Sequence, residues 1–220
     1  MVATAMTHDD TVALIQPKPQ ESISLTPKRR LEFVQLNSSR LEIRHDDIPV
    51  LWTNKKTKVF SPTQIELSYN DNNVIASAKL KAKGSDALLL LGDPTSAAKT
   101  DWINLACESG HYKFMHNDHK FAWSRSFHSD SAKRMSGKEY QLIDETTGSI
   151  VMLWNSDIAM VMKGVMAKVN LFVYFEHQLE LLALASVLII DEGLSSRRMR
   201  MTAAADAQQM QLAFFGMGFA

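Results

Sequence analysis

A single cysteine, Cys107, stands among the 220 residues. That excludes an intramolecular disulfide and a thiolate zinc cluster, and it fits a reducing compartment. A surplus of either charge is also missing, since 24 Lys and Arg face 24 Asp and Glu. Bulk capture of nucleic acid needs excess cations to displace counterions, so nucleic acid is set aside as a partner. The opening "MVATAMTHDDTVALIQPKPQ" has no basic start followed by an apolar run, because His8, Asp9 and Asp10 interrupt it. No secretory signal is read there. The longest apolar run is about 12 residues, where a membrane-spanning helix needs about 20. No P-loop and no dinucleotide fingerprint appear, and Ser109-Gly110-His111 lacks the preceding glycine of a nucleophile elbow. These absences predict a soluble cytoplasmic protein without a cofactor, with a peripheral membrane or nuclear location as the alternatives.

Apolar residues supply 45% of the chain, enough for one domain with a real core. Residues 1–30 hold Pro17, Pro19 and Pro27 and little periodicity, and read as a mobile leader. Within it, "LTPKRR" resembles a proline-directed phosphorylation site beside a basic cluster; a solvated tail is the simpler reading. From about Ile48 short apolar stretches alternate with turn residues. "QIELSY" puts Ile65, Leu67 and Tyr69 on one face, "NDNN" is a turn, and "VIASAKLKAK" alternates again, so a hairpin is predicted. "ALLLLGDP" reads as a buried strand. "DWINLACE" and "YKFMHNDHKFAWSRSF" give two or three more, with a turn near Asn117-Asp118. "KEYQLIDETTGSIVMLWN" is the clearest hairpin, with strands 139–144 and 149–154 and Thr147-Gly148 in the turn. "MAKVNLFV" aligns Ala167, Val169, Leu171 and Val173. This is the rhythm of an antiparallel sandwich or barrel.

After Phe175 the pattern becomes helical to about Glu192, with Gly193 as a stop signal, and the alanine-rich "TAAADAQQMQLAFFGMGFA" that follows is read as a tail, helical in part. Between Leu179 and Ile190 only Glu180 and Ser186 are polar, and the apolar residues surround the axis. Full burial of one such side chain contributes about 1.5–3 kcal/mol. Leaving half of eight in water forfeits an amount comparable with the net stability of a domain, about 5–15 kcal/mol. The helix must therefore be wrapped on all sides. The fold class predicted is mainly β: a closed antiparallel barrel of about 10–12 strands enclosing one apolar C-terminal helix. The barrel is expected over residues 31–200, its central helix over 175–192, and a C-terminal tail over 201–220. Ala183, Ala185 and Ser186 would let the walls approach, and Glu176, Glu180, Asp191 and Glu192 would mark the ends.

This order of segments resembles the tubby C-terminal-like superfamily, which takes in tubby proteins, phospholipid scramblases and LURP-one-related proteins. More specifically it is similar to small fungal members of that type. The likeness rests on the aromatic-rich "HKFAWSR", then "YQLIDETTGSIVMLW", then an apolar helix ending in "DEGLSSRRMR", and it covers about residues 45–200. The resemblance implies a non-catalytic barrel that reads phosphoinositide headgroups through basic surface residues. Scramblases add cysteine-rich lipidation sites and a membrane-inserting helix, and this chain shows neither, so lipid translocation is not implied.

Lys79, Lys81 and Lys83 project from one strand face and Arg197, Arg198 and Arg200 follow the helix. The first set is read as a patch for phosphate or anionic lipid, or else as a solvated barrel wall. The arginines either join it or complement the helix dipole. Lys55, Lys56 and Lys58 read as a basic turn. His111, His116, His119 and His128 cluster in sequence, but strand spacing scatters them over two faces, so no metal site is assigned. Cys107 lies in a strand with no base beside it, and no catalytic residue is assigned. The apolar "MQLAFFGMGFA" would fold back, dock a partner or meet a membrane interface. The function expected is a binding module for anionic phospholipid; the alternative is a protein–protein adaptor, and an enzyme using the histidine-rich strands ranks last. Oligomeric state is not encoded in any feature read here.

Overall fold

The computed structural model describes residues 26–58, 61–70, 73–82, 85–126 and 137–216, with side chains placed throughout except at residues 58, 137, 158–159 and 197–216. Most of the leader, Lys83, His128 and the last four residues thus lie outside the described residues. The strands are β1 (Arg29–Gln35), β2 (Arg40–His45), β3 (Ile48–Lys58), β4 (Ser61–Ser68), β5 (Val74–Leu80), β6 (Ala87–Leu91), β7 (Ile103–Glu108), β8 (His111–His116), β9 (His119–Arg125), β10 (Gly137–Asp144), β11 (Ser149–Asp157) and β12 (Val165–Leu171). A short helix α1 (Ile158–Val161) follows β11, and the long helix α2 (His177–Gly216) follows β12. Each strand pairs antiparallel with its neighbours in sequence, and β1 pairs with β12 to close the barrel.

Local chemistry sets the meander. Asp46-Asp47, Ser109-Gly110 and Asn117-Asp118 all have positive φ at both central residues, the two-residue turn whose twist matches a hairpin. Asp, Asn and Gly tolerate that region best, which is why these residues stand there. The β10–β11 turn is built differently. Asp144 Oδ1 accepts the Thr146 amide N–H at 2.8 Å, and Gly148 has φ of 71°. Burial pushes the Asp144 carboxyl up, but hydrogen bonds from the amides and hydroxyls of Thr146 and Thr147 outweigh it and hold the group below its ordinary value.

The helix is sheathed. Leu181 to Ile190 are all buried, ten successive residues without an exposed face. A barrel of eight strands is filled by its own side chains; with twelve the interior grows wide enough for a helix about 10 Å across. The rod does not sit on the axis. It runs close to β4, β5 and β6, where the inward positions include Ala76, Ala78 and Ala87. Larger side chains occupy other parts of the wall. Phe33 meets Trp154 edge-to-face at 4.9 Å, and Phe114 stacks on Phe121 at 5.4 Å. The single polar side chain in the buried segment, Ser186, is satisfied. Trp123 Nε1–H of β9 donates to Ser186 Oγ at 2.7 Å, and the Ser186 hydroxyl donates to Ala183 O at 2.8 Å.

Ion pairs fix the ends of the rod to the wall. Arg29 of β1 meets Glu180 at 2.7 Å, Lys138 of β10 meets Asp191 at 2.6 Å, and Lys55 of β3 meets Glu192 at 3.2 Å.

Three readings are corrected. The helix does not stop at Gly193; its backbone continues to Gly216. A Cβ at Gly193 would lie 3.2 Å from Leu80 Cδ2, so the glycine serves close approach to β5 rather than termination. Lys55, Lys56 and Lys58 belong to β3, not to a turn. Tyr69 lies beyond β4 and is exposed, stacked on His177, because the register shifts at Leu67/Ser68.

Two outcomes follow for stability. Ser186→Ala leaves the Trp123 N–H buried without an acceptor and is expected to cost about 1–3 kcal/mol in urea unfolding. An unchanged midpoint and slope would show that this hydrogen bond does not hold the rod. For Asp144 the folded value lies below the ordinary 3.8, so its contribution is complete above that pH and is lost as pH falls through the folded value. Asp144→Asn is expected to lower the urea midpoint at neutral pH and to converge with the parent in strong acid. A gap that stays constant with pH would contradict the assignment.

Candidate functional site

The outer wall carries a depression whose lining holds two lysines and, among the described residues, no carboxylate. Gln64 of β4, Lys79 of β5 and Leu88 of β6 stand in register across three strands. They form its floor, and the β6–β7 connection forms its flank through Pro94, Ala97, Lys99 and Trp102, enclosing about 490 Å³. That connection is folded by its own side chains. Gly92, with φ of 108°, ends β6. Asp93 Oδ1 accepts the amide N–H and the hydroxyl of Thr95, both at 2.8 Å. Those bonds, the backbone one first, hold the Asp93 carboxyl below its ordinary value. A single 3-10 turn over Lys99–Asp101 then delivers Lys99 and Trp102 to β5, secured by the Ala98 amide donating to Asp101 Oδ2 at 2.7 Å. Lys79 Nζ lies 3.7 Å from the centroid of the Trp102 ring. A cation on an indole face is held without being neutralised, so its charge stays available to a second partner.

The five residues expected to share a phosphate site are placed differently. Lys79 is in the depression. Lys81 turns instead to Asn104 Oδ1 at 2.7 Å and Asp86 Oδ2 at 3.5 Å. Lys83 lies outside the described residues, and Arg197 and Arg198 belong to the continuing backbone of α2, with their side chains outside the description. Lys99 was not anticipated. It sits in an irregular connection, where no periodicity announces which way a side chain points. Of the described lysines nearby, Lys56 and Lys81 are engaged by acids. Lys56 pairs with the buried Glu66 at 2.6 Å, and Gln64 Nε2 donates to the same carboxylate at 2.8 Å.

His111 is exposed, whereas His116 and His119 pair across the β8–β9 hairpin, His116 half-buried and His119 stacked on Phe121. Among the described residues no group of three His, Cys, Asp or Glu could hold a metal ion. Cys107 is half-buried, and its backbone N–H donates to Asp86 Oδ1 at 3.0 Å.

A second cavity opens at the barrel mouth where α2 begins, lined by residues of β8 to β11 and by the segment that leads into the helix. No helix among the described residues is long and apolar enough to cross a membrane.

Neither a family model nor a curated protein matches the chain. Among solved structures it is similar to the X-ray structure of a protein from Arabidopsis thaliana, with a TM-score of 0.48 and 10% identity, covering 74% of this chain and 90% of that one. At that score the likeness carries no argument about family or activity.

Proposed function

We propose that the chain is a non-catalytic binding module that reads an anionic phospholipid headgroup at the cytoplasmic face of a membrane. The observation that carries this reading is the depression at Lys79, Lys99 and Trp102, which no carboxylate lines among the described residues. Two ammonium groups flanking an open concavity suit phosphate oxygens, and the indole holds one of them in place. The sequence resemblance to the tubby-like superfamily implies the same ligand class. Lys83, Arg197 and Arg198 are proposed as further cations of this surface, while Lys81, already engaged by Asn104 and Asp86, is assigned a lesser part.

A second reading, a protein–protein adaptor without a lipid role, is favoured by a different feature. Leu36, Val161 and Met162 are exposed on adjoining segments, where the Gln35 amide donates to Gly164 O at 3.1 Å. Exposed apolar side chains grouped in this way suit a protein partner.

Flotation of the full chain on phosphatidylcholine vesicles, with and without a phosphoinositide, separates the readings. The parent is expected to float only with the phosphoinositide. Losing two surface lysines of about 1 kcal/mol each makes binding by Lys79→Ala/Lys99→Ala about 30-fold weaker. Equal flotation of parent and variant, or none by either, would remove the headgroup reading and leave the adaptor.

A further inference from the structure

The cavity at the barrel mouth differs from the outer depression in both lining and sign. It encloses about 510 Å³, a size that suits a small molecule. Phe121, Val173, Phe175 and Leu179 make one side apolar; Asp144, Glu176, His116 and His119 make the other polar, and among the described residues neither lysine nor arginine lines it. The His116 side chain is only 8% exposed. Its Nε2 is buried and has no hydrogen-bond partner among the described residues. The nearest carboxylate oxygen, Glu176 Oε2, is 4.0 Å away, beyond hydrogen-bond reach, and is steadied by Asn117 Nδ2 at 3.3 Å. A buried ring nitrogen left unpaired is unfavourable; in the tautomer that carries its proton on Nδ1, Nε2 is an acceptor and calls for a donor.

Three ligand classes can be compared against this lining. An anion would face two carboxylates with no described lysine or arginine to offset them. A plain hydrocarbon would fill the apolar side and leave His116 unpaired. An ammonium meets both needs. It carries three N–H donors. Two ordinary hydrogen bonds from one nitrogen span about 4–5 Å between their acceptors. The 4.0 Å gap between His116 Nε2 and Glu176 Oε2, too long for a direct bond, therefore suits one shared nitrogen. We infer that the mouth is a binding site for a protonated amine carried on an apolar or aromatic body, with the ammonium between Glu176 and His116 and the body against Phe121 and Phe175. This site is independent of the headgroup reading, which concerns another face and the opposite charge.

The test uses the full chain and three probes of similar shape and different charge: phenethylamine, phenethyl alcohol and hydrocinnamate. Calorimetry would give affinities, and the ring resonances of His116 would report the place. The amine is expected to bind about tenfold more tightly than the alcohol, to shift the His116 resonances, and to outcompete the acid entirely. Glu176→Gln, at a side chain 61% exposed and so harmless to folding, is expected to abolish the preference for the amine. Equal binding of the acid, a preference that survives in Glu176→Gln, or His116 resonances unmoved by the amine would each overturn the inference.

Discussion

Ten successive helical residues buried on every side set the terms for the remainder of the molecule. A helix with one apolar stripe can rest on a sheet; this one cannot, because each direction away from its axis carries hydrocarbon. The wall must therefore go all the way round, and twelve strands give the interior the width a helix needs. Closure in turn removes the sheet edges that would pair with other chains. The alanines of β5 and β6 let the rod lie against one side of the wall, and the aromatic side chains of other strands fill space elsewhere. The Trp123–Ser186 hydrogen bond gives this otherwise nondirectional packing a fixed rotation and depth.

The balance of charges in the sequence has a local counterpart. Arg29, Lys55, Lys56 and Lys138 each meet a carboxylate, three of them on the helix itself. What remains is uneven. The depression holds Lys79 and Lys99, and the mouth holds Asp144 and Glu176 beside His116 and His119. The ion pairs are part-buried, so losing one partner would leave the other charge poorly solvated. They also decide which charges stay available to a partner.

Much of the fold was legible because its signals are local. The apolar circumference of 179–190, the Asn117-Asp118 turn and the alternation through Ala167, Val169 and Leu171 each sit within one short stretch and map onto α2, the β8–β9 hairpin and β12. What escaped depended on tertiary context. The strands β1 and β2 bury little beyond Leu31, Phe33 and Ile43, and their charged outer faces hide the alternation. Gly193 carries a stop signal in sequence but is needed small by Leu80, a residue more than a hundred positions away. The candidate site was half visible. Lys79 could be placed on a strand face, whereas the partner that matters, Lys99, is delivered by a connection whose course is fixed by Asp93 and Asp101.

The order of the elements along the chain also bears on how the protein is made. The seam between β1 and β12 joins the first strand to the twelfth, and the plug that fills the interior is translated after all of them. Until both are out of the ribosome, the inward-facing leucines, valines and aromatics have nothing to pack against. Synthesis therefore passes through a stage in which a nearly complete sheet shows an oily lining to the cell, and assembly hinges on contacts between distant parts of the polypeptide, which form slowly. The inner face of such a sheet stays uncovered for longer than the core of a helix bundle of the same size would.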